Sequence, residues 1–517
     1  MGARTWAALG ACALPLLVAA APALGQDEGM EPIGDVRFAT SCAPEARDPF
    51  DHAVALLHHM TYSQAGAEFA AIAEADPGCA MAHWGVAVTL FQPLWPTRPS
   101  EDDLRRGRDA VARARSLGPG TERERMFVEA AGAFFDAPDA HYWDRIAGWA
   151  ERPRALYDAY PDDIEAAAFF ALSHLAVAPG TGGLENNEEA AAVLAGILGR
   201  SPEHPGGIHY TIHANDADGR QGESLDVVAR YSRIAPRNPH ALHMPTHIYT
   251  RLGDWEKVIE GNREAALAAL EHPAGDRGQW VWDEFPHAIE YMVYAMLQAG
   301  DDDGALEQTR RLQGTADLQP STKTAFHLAS IPSRYALERR DWEVAAALEP
   351  RPGVGLDWDL YPWPEAVTWF ARAVGSAMLG EIQAAREAVA RLEALREISA
   401  ERGEEMFARQ IRILRLGARA WLARAEGDAD GAVALLREAA ALEAATPKPP
   451  VTPAPTLPAI EQLGDLLLEL DRPAEALEAY EESLRRTPGR FNSVRGAARA
   501  AERAGGDAAT RDGGTTG

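Results

Sequence analysis

The feature that most constrains the fold of this chain is a turn of small and acidic residues that recurs at a nearly constant interval. An apolar residue follows each turn at the equivalent position of the repeat. From Val258 onward these equivalent residues lie 40 to 47 positions apart in the sequence. A chain with such a period builds stacked units, since each unit buries its apolar face only against its neighbours. The turns are Gly253-Asp254-Trp255, Gly300-Asp301-Asp302, Arg340-Asp341-Trp342, Leu379-Gly380-Glu381 and Glu426-Gly427-Asp428.

The spacing of apolar residues around these turns predicts two helices in each unit. Apolar residues recur at steps of three and four, which gives each helix one buried stripe. Alanine is frequent and runs of β-branched residues are rare, so intrinsic propensity also favours helix over strand. The predicted fold class is therefore all-α. The residues that take the equivalent buried place are Ala65, Val258, Ala305, Ala345, Ala385, Ala432 and Ala476.

The C-terminal unit, residues 457–488, carries a closer likeness. It resembles the tetratricopeptide repeat consensus, and Tyr62, Ala65, Phe69 and Pro77 match the second half of such a repeat near the N-terminus. The chain is identified as a member of the tetratricopeptide repeat superfamily, of an exported bacterial type, over most of residues 49–503. The matching residues of the C-terminal unit are Ile460, Leu463, Gly464, Leu467, Ala476, Tyr480, Ser483 and Pro488.

The resemblance implies a superhelical α-α solenoid of about eight to ten helical hairpins. It also implies that positions 2, 5 and 9 of the first helix of each hairpin face a concave groove, which holds a protein segment or a small ligand. The register set by the turns places a histidine at position 2 of three successive repeats. The predicted groove residues are His240, His287, Glu290, Tyr294, His327 and Arg334.

Histidines are concentrated in one part of the chain, because nine of the fifteen lie between residues 204 and 327. His209 and His213 are four residues apart, a spacing at which two imidazoles on one helix can bind one cation. Asp216 lies one turn further on, where a carboxylate is a third ligand or orients a ring. His243 and His247 of the next repeat complete a predicted metal set of four imidazoles and Asp216, suited to Zn, Cu or Fe.

One residue complicates this prediction. Pro245 lies between His243 and His247, and proline cannot sit inside a regular helix without the loss of a hydrogen bond. We therefore expect a helix to begin near Met244, with Pro245 in its first turn.

These patterns leave two functions open. The first is an exported binding or scaffold protein whose histidine-lined groove holds a ligand or a transition metal. The alternative is a periplasmic metalloenzyme or metal-binding protein that uses the 204–327 cluster. The sequence does not decide whether the chain is an enzyme, since it contains no G-x-S-x-G, Walker A or H-E-x-x-H motif. His58 and His59 are predicted to lie on the surface.

The N-terminal residues indicate export. Arg4 precedes an apolar run from Leu9 to Ala21, and Ala23-Leu24-Gly25 is a small-residue cleavage site. The expected location is the periplasm or the medium, with no transmembrane segment in the mature chain. Cys42 and Cys79 would then remain, either as a disulfide, which such a compartment favours, or as two buried thiols.

Charge and local composition complete the prediction. There are 50 Lys and Arg residues against 77 Asp and Glu residues, a formal charge of −27, so nucleic acid is excluded as an expected partner. Residues 444–458 are rich in proline and threonine and are interpreted as a linker. The predicted segments are a signal peptide (1–25), an N-terminal arm (26–48), His-rich repeats (49–348), a loop (349–364), C-terminal repeats (365–503) and a disordered tail (504–517).

Overall fold

The computed structural model describes residues 32–512, except 95–97, 138, 182–183, 218, 276–277, 354 and 450. The predicted signal peptide therefore lies outside the described residues. Helices α1 to α12 are Arg47–His58, Tyr62–Ala75, Ala80–Val88, Glu101–Leu117, Glu122–Phe135, Tyr142–Ala159, Ile164–Thr181, Glu185–Arg200, Pro205–Asn215, Leu225–Ile234, Pro239–His243 and Pro245–Leu252. Helices α13 to α24 are Trp255–Glu271, Glu284–Ala299, Asp302–Gln313, Thr322–Glu338, Trp342–Ala347, Pro362–Met378, Ile382–Glu401, Glu405–Ala425, Ala429–Ala444, Ala459–Glu469, Pro473–Arg486 and Phe491–Asp512. Short 3₁₀ helices are Pro44–Ala46, Gln221–Ser224 and Trp358–Leu360.

These helices form hairpins that stack in chain order. Each helix packs against the next, and the first helices of successive hairpins also pack on one another, in the order α14, α16, α18, α20 and α22. Within the described ranges, the β contacts recorded are two isolated bridges. The fold is a tetratricopeptide-like α-α solenoid, which confirms the predicted fold class.

The recurring turns link the two helices of a hairpin through two or three residues. Gly253 ends α12 with a φ of 72°, and Gly300 ends α14 with a φ of 79°, a left-handed conformation that glycine adopts at little cost. The aspartate that follows then caps the next helix, because the Asp254 side chain accepts the backbone N–H of Lys257. The turn residues therefore both end one helix and begin the next.

The N-terminal arm is held against the first helices by apolar contacts and by a disulfide. Ile33, Val36 and Phe38 are buried, and the ring of Phe38 lies 5.2 Å from that of Phe50. A disulfide joins Cys42 of the arm to the residue that caps α3. The arm therefore forms part of the N-terminal core.

The C-terminal repeats turn back onto the middle of the chain. The backbone N–H of Phe491 donates to the Gln298 side chain of α14 over 3.0 Å. Arg490 is buried between Glu338 of α16 and Glu461 of α22, at 2.7 Å from each. Because a buried guanidinium needs such partners, these ion pairs fix the C-terminal end against α14 and α16.

Residues 451–458, which we call the strap, lie across the concave side of these helices. The strap has no regular structure, yet seven of its eight residues are buried. The prediction of a linker over 444–458 was therefore wrong for this part. Burial of a segment without helix or strand is possible because its carbonyl groups accept hydrogen bonds from side chains, among them Arg334, Lys448 and Gln462.

Two predicted segment ends differ from the structure. The loop predicted over 349–364 contains a 3₁₀ helix and ends where α18 begins at Pro362. Helix α24 continues to Asp512, so 504–512 of the predicted disordered tail are helical, and 513–517 lie outside the described residues. Alanine and arginine on either side of Gly505 and Gly506 favour this continuation. None of the helices in the part of the chain that the structure describes is long and apolar enough to cross a membrane.

Close packing in the C-terminal repeat gives a test of this fold. A Cβ atom on Gly464 would lie 2.8 Å from the Tyr480 ring, which is held by its hydrogen bond to Asp465. We expect Gly464→Ala to lower the free energy of unfolding by about 1 to 2 kcal/mol, because overpacking outweighs the gain in helix propensity. Urea denaturation measures this change.

The matched control is Gly196→Ala on α8, where a Cβ atom meets no neighbour within 4 Å. The same substitution should there raise stability by about 0.5 to 1 kcal/mol. Equal effects at both positions would contradict the packing described for Gly464.

Candidate metal centre

Six histidines from three successive repeats meet on the concave side of the solenoid. Five are fully buried and His213 is half-buried. They divide into two groups of three. Within each group the candidate ligand nitrogens all lie within 4.8 Å of one another. The first triad is His209 and His213 of α9 with His240 of α11, and the second triad is His243 of α11 and His247 of α12 with His287 of α14.

In the first triad the three imidazoles turn the same atom inward. The Nε2 atom of His209 lies 3.1 Å from that of His213 and 3.0 Å from that of His240. On its other side His209 donates Nδ1–H to the carbonyl oxygen of His58 over 2.6 Å. The Nδ1 atom of His240 faces a carboxylate oxygen of Glu284 at 3.3 Å. Since carbonyl and carboxylate oxygens only accept, Nδ1 carries the proton in both rings and Nε2 has the lone pair.

The second triad repeats this arrangement with different outer partners. The Nε2 atoms of His243 and His247 lie 3.0 Å apart. His243 donates Nδ1–H to Oδ1 of Asn262 over 2.6 Å, and the amide orientation follows from the donation of Asn262 Nδ2 to the carbonyl of Val258. His247 donates Nδ1–H to Asp216 over 2.8 Å. Both inward nitrogens therefore carry lone pairs.

The third ring of the second triad, His287, is oriented by a chain of hydrogen bonds through His327 to Glu290. His327 donates Nδ1–H to the Glu290 carboxylate, so its Nε2 atom is an acceptor. That atom lies 3.1 Å from Nδ1 of His287, which must therefore carry its proton there and present Nε2 as the basic nitrogen. Its ring centroid lies 4.3 Å from that of His243.

Each outer carboxylate is balanced by a cation. Glu284 lies 2.5 Å from Lys323, Glu290 lies 3.1 Å from Arg334, and Asp216 lies 2.6 Å from Arg251. Burial raises the pKa of Asp216. The charges of Lys448 and Arg251 and the hydrogen bond from His247 lower this pKa by more than burial raises it, so it lies well below its ordinary value. The carboxylates stay ionised and accept hydrogen bonds from the histidine N–H groups.

Two inward contacts, His209 with His240 and His243 with His247, bring together Nε2 atoms of rings whose protons lie on Nδ1. Two lone pairs 3.0 Å apart repel unless a proton or a metal cation lies between them. Burial lowers the pKa of His209, His243 and His247, which disfavours the extra proton. By contrast, nitrogens bound to one tetrahedral metal at ordinary bond lengths are about 3.3 Å apart, close to the separations here.

The two triads are neighbours. The ring of His213 lies 6.0 Å from that of His247, and the ring of His240 lies 6.2 Å from that of His243, measured between centroids. His240 and His243 are three residues apart on α11, so one helix turn serves both triads. Ions held by the two triads would lie side by side.

The proline between His243 and His247 is accommodated as expected. Helix α12 begins at Pro245, and Met244 before it has helical backbone angles. The helical path therefore continues through the break, and the two histidines still meet as residues one turn apart.

A third cluster of His58, Glu165 and His204 has a different character. Glu165 accepts Nε2–H of His58 over 2.8 Å and Nε2–H of His204 over 3.0 Å. Nδ1 of His58 accepts the Tyr210 hydroxyl, and Nδ1 of His204 accepts the backbone N–H of Gly207. Every ring nitrogen here has a complementary partner, so this cluster is a hydrogen-bond network of the core.

The prediction that His58 and His59 lie on the surface was wrong, since both are fully buried. His59 donates to the carbonyl of Ile33 over 2.9 Å and faces the Tyr231 hydroxyl at 3.0 Å. The arm covers this end of α1, and the sequence carried no signal for that contact.

The predicted groove residues are buried, and of them Tyr294 lines a cavity. His240, His287, Glu290, Tyr294, His327 and Arg334 are all buried. Arg334 donates to the carbonyl of Ala454 over 2.9 Å and to that of Pro455 over 3.0 Å. The strap thus occupies the place where the family resemblance implies a bound protein segment.

The predicted metal set is redistributed. His209 and His213 fall in one triad, and His243 and His247 fall in the other. Asp216 lies behind His247 as its hydrogen-bond partner, and His240 and His287, predicted for the groove, complete the triads. Asn262 was not predicted, because an asparagine in the second helix of a hairpin has no distinguishing pattern in the sequence.

Comparison with solved structures finds helical-repeat proteins. The human IFIT1 dimer with PPP-AAAA is 12% identical, over 78% of this chain and 73% of that chain, with a TM-score of 0.33. Yeast Tom70 is 10% identical, over 88% of both chains, with a TM-score of 0.32. The APC/C hetero-tetramer Cut9-Hcn1 is 10% identical, over 88% of this chain and 89% of that chain, with a TM-score of 0.31. No protein-family model and no curated protein sequence matches the chain.

The third cluster generates a prediction about stability. Glu165→Gln places an amide N–H₂ against one of two histidine N–H donors, so a buried donor loses its acceptor. We expect the free energy of unfolding to fall by about 2 to 3 kcal/mol. Chemical denaturation measures the loss, and Glu256→Gln, an exposed change on α13, should alter stability by less than about 0.5 kcal/mol. A Glu165 variant as stable as the parent would contradict the hydrogen-bond assignment.

Proposed function

We propose that this chain is a metalloprotein that holds two transition-metal ions side by side, one in each histidine triad. The observation that carries the proposal is the 3.0 Å approach of two inward Nε2 atoms in each triad, His209 with His240 and His243 with His247, with the protons of these rings on Nδ1. A metal ion turns this repulsive arrangement into coordination.

The donor set favours copper or zinc. All six inward donors are imidazole nitrogens, whereas carboxylate oxygens, which suit Mg²⁺, Ca²⁺ and Mn²⁺, stand only in the outer shell. Imidazole suits Zn, Cu, Fe and Ni, and among divalent ions Cu²⁺ binds most tightly to a given site of nitrogen donors. Copper and zinc are therefore the first ions to test.

Three protein ligands per ion favour a reactive centre over a structural one. Structural zinc sites use four protein ligands, while catalytic sites keep one position for water or substrate. Two ions side by side can bind both ends of one small molecule. We therefore favour the metalloenzyme over the binding scaffold.

The scaffold and the compartment fit this proposal. The first helices of successive repeats supply ligands from rigid elements, with outer hydrogen bonds that hold each ring, as a preorganised metal site requires. We assign the protein to the periplasm or the medium, which the N-terminal residues 1–25 and the disulfide of Cys42 with Cys79 support.

Metal stoichiometry tests the proposal. Purified protein, loaded with Cu(II) or Zn(II) and freed of excess ion, should contain about two equivalents by elemental analysis. The double variant H209A/H240A should retain about one equivalent, and so should H243A/H247A, since each removes two of three ligands from one triad. His272→Ala, a change outside both triads, is the control and should retain two. Circular dichroism verifies that each variant is folded. A parent without metal, or folded double variants with unchanged content, would overturn the proposal.

The outer shell of the second triad provides a finer test. Asp216→Asn removes the carboxylate that holds the Nδ1 proton of His247, so we expect about 10- to 100-fold weaker binding of one of the two ions. Competition with a chelator measures both affinities. Asp226→Asn, an exposed change on α10, should leave both affinities unchanged. Equal affinities in parent and D216N protein would show that Asp216 does not support the site.

A further inference from the structure

A cavity of about 520 Å³ adjoins the first triad. It lies between the N-terminal and C-terminal halves of the solenoid and is bounded by the strap. Its volume falls within the range of pockets that bind small organic molecules. The chain thus encloses space of ligand size directly beside the proposed metal centre.

Most of the cavity wall is apolar, and five aromatic side chains are part of it. The wall comes from helices far apart in the sequence: α6 and α7 on one side, and α16, α18 and α20 on the other. Contact between such a surface and an apolar guest lowers the free energy, because both remove apolar area from water. Six wall residues that show this character are Trp143, Leu175, Phe326, Trp363, Phe370 and Met406.

One end of the cavity is polar. His213 and Asp216 line it there, together with Arg251 and Lys448. His213 is the half-buried member of the first triad, and its Nε2 atom is 3.1 Å from that of His209. Of the six inward histidines, it is this one that meets the cavity, so a guest would reach the centre from the side of the first triad.

We propose that this cavity binds a small, uncharged, hydrophobic organic molecule with an aromatic ring, whose polar atom points toward the first triad. The aromatic wall holds the ring, and the polar end selects a guest with one hydrogen-bonding or metal-binding atom. That orientation rests on the proposed metal centre, whereas binding of the guest does not.

Binding can be measured with N-phenyl-1-naphthylamine, an uncharged aromatic dye that fluoresces in apolar surroundings. We expect the parent to bind it in a saturable way, and Ala440→Trp, which fills the cavity from α21, to weaken binding about tenfold or more. Leu414→Trp fills it from α20 and should do the same. The control is Ala434→Trp, an exposed change on α21 that should bind like the parent.

Elemental analysis of the same samples separates the two proposals. Ala440→Trp and Leu414→Trp should keep the metal content of the parent while they lose dye, because neither residue contacts a triad. A parent that does not bind the dye, or folded variants of both kinds that bind it as the parent does, would overturn the cavity proposal whatever the metal content.

Quenching tests the orientation. Bound dye should be quenched strongly in Cu(II)-loaded protein and little in Zn(II)-loaded protein, because Cu(II) is a short-range paramagnetic quencher and Zn(II) has a filled d shell. Equal emission in the two forms would contradict a guest next to the first triad. If the chain bound no metal at all, dye binding would still decide whether the cavity is a ligand site.

Discussion

The middle repeats are arranged around one unfavourable contact that is made in both triads: two basic imidazole nitrogens held 3.0 Å apart in the protein interior. Such a contact costs free energy unless a cation is bound, and it persists only because the surroundings hold each ring. The N–H groups on the outer side of the rings donate hydrogen bonds to a carbonyl, an amide oxygen and three carboxylates. Each carboxylate is neutralised by a lysine or an arginine. Much of the polar interior of the middle repeats can be understood as the support of these contacts.

The solenoid supplies this support through its curvature and through closure by its own chain. The first helices of neighbouring repeats lie side by side, so a histidine of one repeat meets a histidine of the next, as His209 meets His240 and His243 meets His287. The C-terminal repeats return to α14 and α16, and the strap covers the remaining side. Burial of these groups lowers the local dielectric constant and so strengthens the electrostatic interactions between them. The strap also fills the side on which the predicted groove residues lie, through the hydrogen bonds of Arg334 to its carbonyl groups.

Much of the fold could be predicted from the sequence, because its determinants are local. The turn residues around Gly253 and Gly300 specify where one helix ends and the next begins, and their spacing specifies the repeat. The Pro245 break was also predictable, since proline has one place in a helix where it costs nothing. The strap was not, because a proline- and threonine-rich segment has the same composition whether it lies in solvent or crosses a groove. Its burial depends on Arg334, which is more than 100 residues away in the chain.

The residues of the proposed metal centre could be predicted from the sequence, but their division into two triads could not. The four-residue spacing stands out for two pairs, His209 with His213 and His243 with His247. This spacing indicates that the two side chains of a pair lie on the same face of a helix. The third member of each triad comes from another element, and spacing within one helix says nothing about which element that is. The place of Asp216 depends on a similar contact between helices, since its carboxylate accepts a hydrogen bond from His247 and pairs with Arg251.

The most direct test of the central claim is anomalous diffraction at the copper edge from crystals of the copper-loaded protein. The account predicts two peaks on the concave side, one bonded to the Nε2 atoms of His209, His213 and His240, and the other to those of His243, His247 and His287. Each bond should be about 2.0 Å long. Crystals without a peak at either triad, or with copper bound instead by His58 and His204, would contradict it.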